Sequence, residues 1–181
     1  KERALYYGSQ IAFIPQNPMT ALDPSRKIGV QMAEFLRLHR ELNKKEALCL
    51  CEQAMIQAGL ADTKRILNSR PYQLSGGMLQ RVLIALAIAG KARLVVADEP
   101  TTALDAIHRD RAVEQLLKLR EQGCAILIVT HDFDVARHME GHVLIMKEGR
   151  MVERGSAKEV LQNPKAGYTK ELIEAIHLGW G

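Results

Sequence analysis

Two short apolar runs that end in polar residues constrain this chain most: ARLVVADEP (92–100) and CAILIVTHD (124–132). Each is too uniformly apolar for a strand with one wet face, and reads as a strand buried on both faces. Between them lies DAIHRDRAVEQLLKLREQG (105–123), a helical pattern with Asp105 as its N-cap candidate and Gly123 as its stop. Strand, helix and strand in this order predict an open parallel sheet, which binds ligands at the carboxyl ends of its strands. QIAFIPQ (10–16) reads as a further strand ending at a proline.

Helical spacing of apolar residues marks GVQMAEFLRLHREL (29–42) and KKEALCLCEQAMIQAGL (44–60), and a third helix follows the turn LSGG. HVLIMKEGRMVERG (142–155) predicts a hairpin around Lys147–Arg150, and Ser156 with Glu159 forms a capping-box pair before a short helix. The fold class is therefore α/β, with residues 29–89 as a helical subdomain inserted into the sheet. A net charge of +4, with basic and acidic residues intermixed, argues against a nucleic-acid surface. No apolar run approaches a membrane span, and the opening residues lack a signal-peptide core, which predicts a cytoplasmic location. Three cysteines without metal-ligand spacing read as reduced, structural thiols.

The candidate chemistry gathers at strand ends. Asp98 and Glu99 leave an apolar strand together, which suits metal ligation by one carboxylate and base chemistry by the other. A helix cap or a surface turn is the plainer alternative. His131 closes the next strand, where it could meet a phosphate, orient a water or simply pack. Gln16 is a third polar group following an apolar strand. Ser75 is a natural N-cap, and Gly76 and Gly77 let a ligand approach the free N–H groups of the helix start. A plain capped core helix explains the helix well and the paired glycines poorly, because glycine weakens a helix.

Taken together these segments resemble the ATP-binding subunits of ABC transporters. LSGGMLQ (74–80) is similar to the signature motif, LVVADEP to the Walker B strand with its following glutamate, and TALD (102–105) to the D-loop. His131 matches the switch histidine and Gln16 the Q-loop glutamine. PQNPMTALDP (15–24), NPKAGYTKELIEA (163–175) and Met78 resemble the peptide and nickel importer branch, nearest to its nickel-importing D type. The resemblance implies a P-loop NTPase-like core in four segments: 1–28 with the Q-loop, the helical subdomain 29–89, 90–155 with Walker B, D-loop and switch histidine, and a helical tail 156–181.

It also implies roles. Asp98 would hold Mg²⁺ through water, Glu99 would polarise the attacking water, His131 would contact the γ-phosphate, and Gln16 would sense Mg²⁺ and the water and link the site to the membrane subunit. Ser75, Gly76 and Gly77, with Gln80 of the same motif, would bind ATP held by a second ATPase subunit. Asp105 would couple the two sites. Transmembrane permease subunits would hold the protein peripherally at the cytoplasmic face of the membrane, with no nucleic-acid partner. The activity implied is ATP hydrolysis coupled to import of nickel or short peptides.

One motif is missing. No G-x-x-x-x-G-K-[ST] P-loop occurs, and the nearest glycine pair, Gly149 and Gly155, sits in the predicted hairpin without the lysine. The expectation is an N-terminally incomplete chain that hydrolyses ATP negligibly by itself. Two rival readings are a non-transport ABC ATPase acting on nucleic acid or ribosomes, and a nucleotide-free interaction module.

Overall fold

The computed structural model describes residues 10–101 and 106–177, and the chain divides into two compact units, residues 1–129 and 130–181. This is a coarser division than the four segments drawn from the sequence.

In the first unit, β1 (Ile11–Ile14), β2 (Leu94–Asp98) and β3 (Ala125–Val129) form a parallel sheet in the order β1-β2-β3. Ile14 pairs with Ala97, and Asp98 with Val129, so the three strands end at one edge. Between β1 and β2 come α1 (Ile28–Arg40), α2 (Lys44–Gln57), α3 (Thr63–Asn68) and α4 (Gly76–Gly90); α5 (Ala106–Glu121) leads from β2 to β3. The short helix α3 lies in a stretch that shows too few periodic positions to be read from sequence. Its N-cap, Asp62, accepts the N–H of Arg65 at 3.3 Å.

Local chemistry sets the helix ends. Asn43 accepts from Lys45 and Glu46, and the Glu46 carboxylate accepts the Asn43 N–H at 2.9 Å, a complete capping box that starts α2. Lys91 ends α4 in the left-handed conformation at φ 54°, and Arg40 donates to the Ala89 carbonyl at 2.8 Å, satisfying one of the last orphan acceptors. Helix α4 is the core of the unit. Leu79, Val82, Ile84 and Ala85 are each 0% exposed, and the helix packs against α1, α2, α5 and β1.

The expectation of strands buried on both faces is corrected. Ile14, Val95 and Ala97 are buried on one face of the sheet, and α4 packs against β1 and α5 against β3. On the opposite face Phe13, Leu127 and Val129 remain 53%, 50% and 54% exposed. Residues alternate sides along a strand, and the Phe13, Leu127 and Val129 side is the more exposed one.

The second unit holds α6 (Phe133–Met139), an antiparallel hairpin of β4 (His142–Lys147) and β5 (Arg150–Ser156), α7 (Ala157–Gln162) and α8 (Gly167–His177). The hairpin turns at Glu148 and Gly149, both at positive φ. The Ser156–Glu159 capping box is present, with Ser156 Oγ accepting the Glu159 N–H at 3.2 Å. Glu153 on β5 accepts the N–H groups of Lys165 and Ala166 at 2.8 and 3.1 Å, which ties the approach to α8 to the hairpin.

Cys51 and Cys124 are buried and Cys49 is exposed. Burial pushes the Cys51 thiol up to about 12 and raises that of Cys124, so both remain protonated and act as packing groups. Where α1 crosses α3, a Cβ on Gly29 would stand 2.9 Å from the Leu67 carbonyl oxygen and 3.1 Å from its Cβ. Backbone cannot yield cheaply there. Gly29→Ala is expected to destabilise the first unit by about 1–3 kcal/mol, read as a lowered denaturant midpoint at unchanged slope.

Candidate functional site at the strand ends and the α4 start

The parallel register brings the end of β1 beside the end of β2. Gln16, two residues past Ile14, is exposed in the bend after β1; Asp98 is half-buried as the last residue of β2. Glu99 follows with φ 47°, in the left-handed region that few residues other than glycine enter. It also precedes Pro100, which restricts its backbone further. Holding a glutamate there costs about 1–3 kcal/mol and persists only where neighbouring contacts over-determine it. One such contact is direct: the Glu99 N–H donates to the Val129 carbonyl at 2.8 Å, so the turn stays stitched to the end of β3.

Helix α4 starts at Ser75, whose backbone is extended and whose Oγ accepts the Met78 N–H at 3.3 Å. Ser75 and Gly76 are exposed, Gly77 and Met78 half-buried. The first-turn N–H groups of this fifteen-residue helix carry the positive end of its dipole into open space. Gly76 is informative because a Cβ there would meet nothing within 4 Å, and its φ is ordinary. The chain's own packing does not need glycine at that position.

Arg81 braces this turn, donating to the carbonyls of Gly77 at 3.2 Å and Gly59 at 3.1 Å. Its pKa is lowered by partial burial and by neighbouring Arg111. Gln80 is 6% exposed and its Nε2 donates to the Pro100 carbonyl. The structure thus places the Gln80 amide inside the protein, on the turn that carries Glu99. Sequence reasoning grouped Gln80 with the nucleotide contacts and missed this link. The signal available was its spacing: 80, 83, 84 and 87 fall on one face of an otherwise apolar helix, where a polar side chain needs a buried partner.

His131 belongs to the second unit, exposed and two residues past β3; next to it Asp132 caps α6, accepting the N–H groups of Asp134 and Val135 at 2.9 and 3.3 Å. Asp105 and the rest of the TALD motif lie outside the described residues. Among the described residues no group of three or more His, Cys, Asp or Glu side chains could hold a metal, and no helix is long and apolar enough to cross a membrane.

A family model described as ABC transporter matches residues 2–102, more than half of the chain. The chain belongs to the ABC transporter family. Among curated relatives it is 40% identical over 173 residues to the metal-staphylopine import system ATP-binding protein CntD of Staphylococcus aureus, covering 95% of this chain and 64% of that protein. It is 40% identical to the oligopeptide transport ATP-binding protein OppD of Lactococcus lactis, over 93% of this chain and 50% of that one. With the dipeptide transport ATP-binding protein DppD of Escherichia coli it shares 37% identity, covering 97% and 54%.

These relatives support membership of the peptide and metal importer branch of ABC ATP-binding subunits. The chain spans 50–64% of their lengths. Among solved structures, the ATP-binding cassette MJ0796, a dimer in a post-hydrolysis state bound to ADP and Pi, superposes with a TM-score of 0.76 at 29% identity, covering 86% of this chain and 66% of that one. The cbiO1 protein of Clostridium perfringens, part of the transporter complex cbiONQ, gives 0.71 at 27% identity, covering 94% and 64%. The α/β fold is that of the P-loop NTPase-like ABC cassettes.

Because nothing in the fold requires glycine at the first position of α4, Gly76→Ala is expected to leave the thermal midpoint unchanged or to raise stability by up to about 1 kcal/mol. A lowered midpoint would mean that the fold itself needs the glycine.

Proposed function

We propose that this chain belongs to an ATP-hydrolysing subunit of an ABC importer, and that its α4 start and its strand ends serve two different ATP molecules. The observation that carries the reading is the exposed, Ser75-capped start of the long helix α4, where Gly76 leaves the first-turn N–H groups open. Ser75, Gly76 and Gly77 clasp the γ-phosphate of ATP held by a second cassette, through backbone N–H groups and the serine hydroxyl. The relative MJ0796, dimeric with ADP and Pi, supports a paired arrangement.

At the end of β2 Glu99 polarises the attacking water; His131, which belongs to the second unit, takes its γ-phosphate role from the resemblance of its motif alone. Asp98, assisted by Gln16, holds Mg²⁺, and Asp105 couples the two sites. One carboxylate and one amide fit magnesium, because this ion keeps several waters and takes its remaining ligands from phosphate oxygens. When bound, it neutralises charge on the phosphates; the residues of the chain supply position and preorganised dipoles.

Permease subunits anchor the protein peripherally on the cytoplasmic face of the membrane. The cargo class follows the relatives, whose names specify metal-staphylopine, oligopeptide and dipeptide transport. We place this chain's cargo among chelated metal ions, nickel included, and short peptides.

At the site that uses this chain's Glu99, with the companion cassette's catalytic glutamate also changed to Gln, Glu99→Gln is expected to lower ATP turnover by about 100-fold or more while ATP affinity stays within about 3-fold. Normal steady-state turnover by that variant would remove Glu99 from its role. Residues 1–181 alone, which contain no P-loop lysine, are expected to show no Glu99-dependent phosphate release. Robust release would show that these residues hydrolyse ATP without that lysine.

A further inference from the structure

The buried link between α4 and the Glu99 turn has a use that neither element explains alone. Glu99 sits at φ 47° before a proline, a conformation that relaxes unless held from both sides. On the upstream side its own N–H is fixed to Val129. On the downstream side the next carbonyl, that of Pro100, accepts from Gln80 Nε2. Pro100 and Thr101 are buried there, and Gln80 is 6% exposed, so water does not replace the bond readily.

Gln80 lies five residues after Ser75 on the same rigid helix, whose remaining inward positions are packed apolar side chains. A displacement of the α4 start is therefore transmitted along a stiff rod to the carbonyl that follows Glu99. The coupling runs through one helix and one hydrogen bond.

We propose that Gln80 is a positioning residue that couples the two half-sites within a single subunit. It keeps Glu99 in its left-handed, reactive placement only while the α4 start is correctly seated. Engagement of Ser75, Gly76 and Gly77 by the companion cassette's nucleotide then sets the readiness of this subunit's own Glu99. The inference rests on the proposed pairing of two cassettes, and the experiment separates failure of one from failure of the other.

The test uses assembled transporters in which only one catalytic glutamate is active. In the first, this chain carries Gln80→Met, which keeps volume and removes the donor, and the companion cassette has its catalytic glutamate changed to Gln. The only working site then uses this chain's Glu99 and the companion's unaltered signature turn. The expected result is a fall in kcat of at least about 10-fold, with KM for ATP changed less than about 3-fold, relative to the same assembly with Gln80.

In the converse assembly this chain carries both Gln80→Met and Glu99→Gln beside a wild-type companion, and the loss relative to the same assembly with Gln80 and Glu99→Gln is expected to stay below about 3-fold. An unchanged kcat in the first assembly overturns the proposal. So does an equal or larger loss in the second, which would mark Gln80 as serving its own helix alone. If circular dichroism shows the Met variant unfolded, Gln80→Asn, one methylene short of Pro100, is read in the same two assemblies against the same thresholds. A control with both glutamates changed to Gln must be inactive; turnover there overturns the role of Glu99 itself.

Discussion

The parallel register of β1, β2 and β3 is the constraint on which the rest of the site depends. Pairing Ile14 with Ala97 and Asp98 with Val129 ends the three strands together. Only because β3 runs alongside β2 to its end can the Val129 carbonyl take the Glu99 N–H and turn the chain sharply there. Parallel ladders need long crossovers, and this chain fills the first with the helices that present the Ser75 turn. The connection that the sheet requires also carries the proposed second half-site.

Helix α4 then does two jobs with one set of residues. Its apolar positions fill the space between α1, α2, α5 and β1, which makes it rigid. Its first turn, capped by Ser75 and left small at Gly76, stays open. The phosphate contact proposed for this helix start needs both properties, because N–H groups that must reorganise on binding lose much of their electrostatic advantage. Arg81 adds to the rigidity by bracing the Gly77 and Gly59 carbonyls.

Much of the site was legible in the sequence. The runs before Asp98 and His131 gave the strands, the Ser-Gly-Gly turn gave the helix start, and Ser156 with Glu159 gave a capping box that the structure forms. Two features were less visible. The strands read as buried on both faces, yet Phe13, Leu127 and Val129 are half-exposed, because a uniformly apolar run reports what a strand can bury and not which layers are present to bury it. The short helices α3 and α6 were not delimited, since six and seven residues give too little periodicity against their capping aspartates Asp62 and Asp132.

The sequence by itself determined the kind of chemistry: carboxylates, a histidine and a glutamine after apolar strands, and a glycine-rich helix start, in an order that identifies the family. Local pattern suffices for that, because strand ends, caps and glycines are set by residues close along the chain. Only the tertiary structure decided that Glu99 is held in the left-handed region, that Gly76 is free of its own fold, and that Gln80 reaches Pro100 rather than solvent. Each of these depends on what stands beside a residue in space. For Gln80 the partner lies 20 residues away, and a side-chain amide carries no mark in the sequence of which carbonyl it will find.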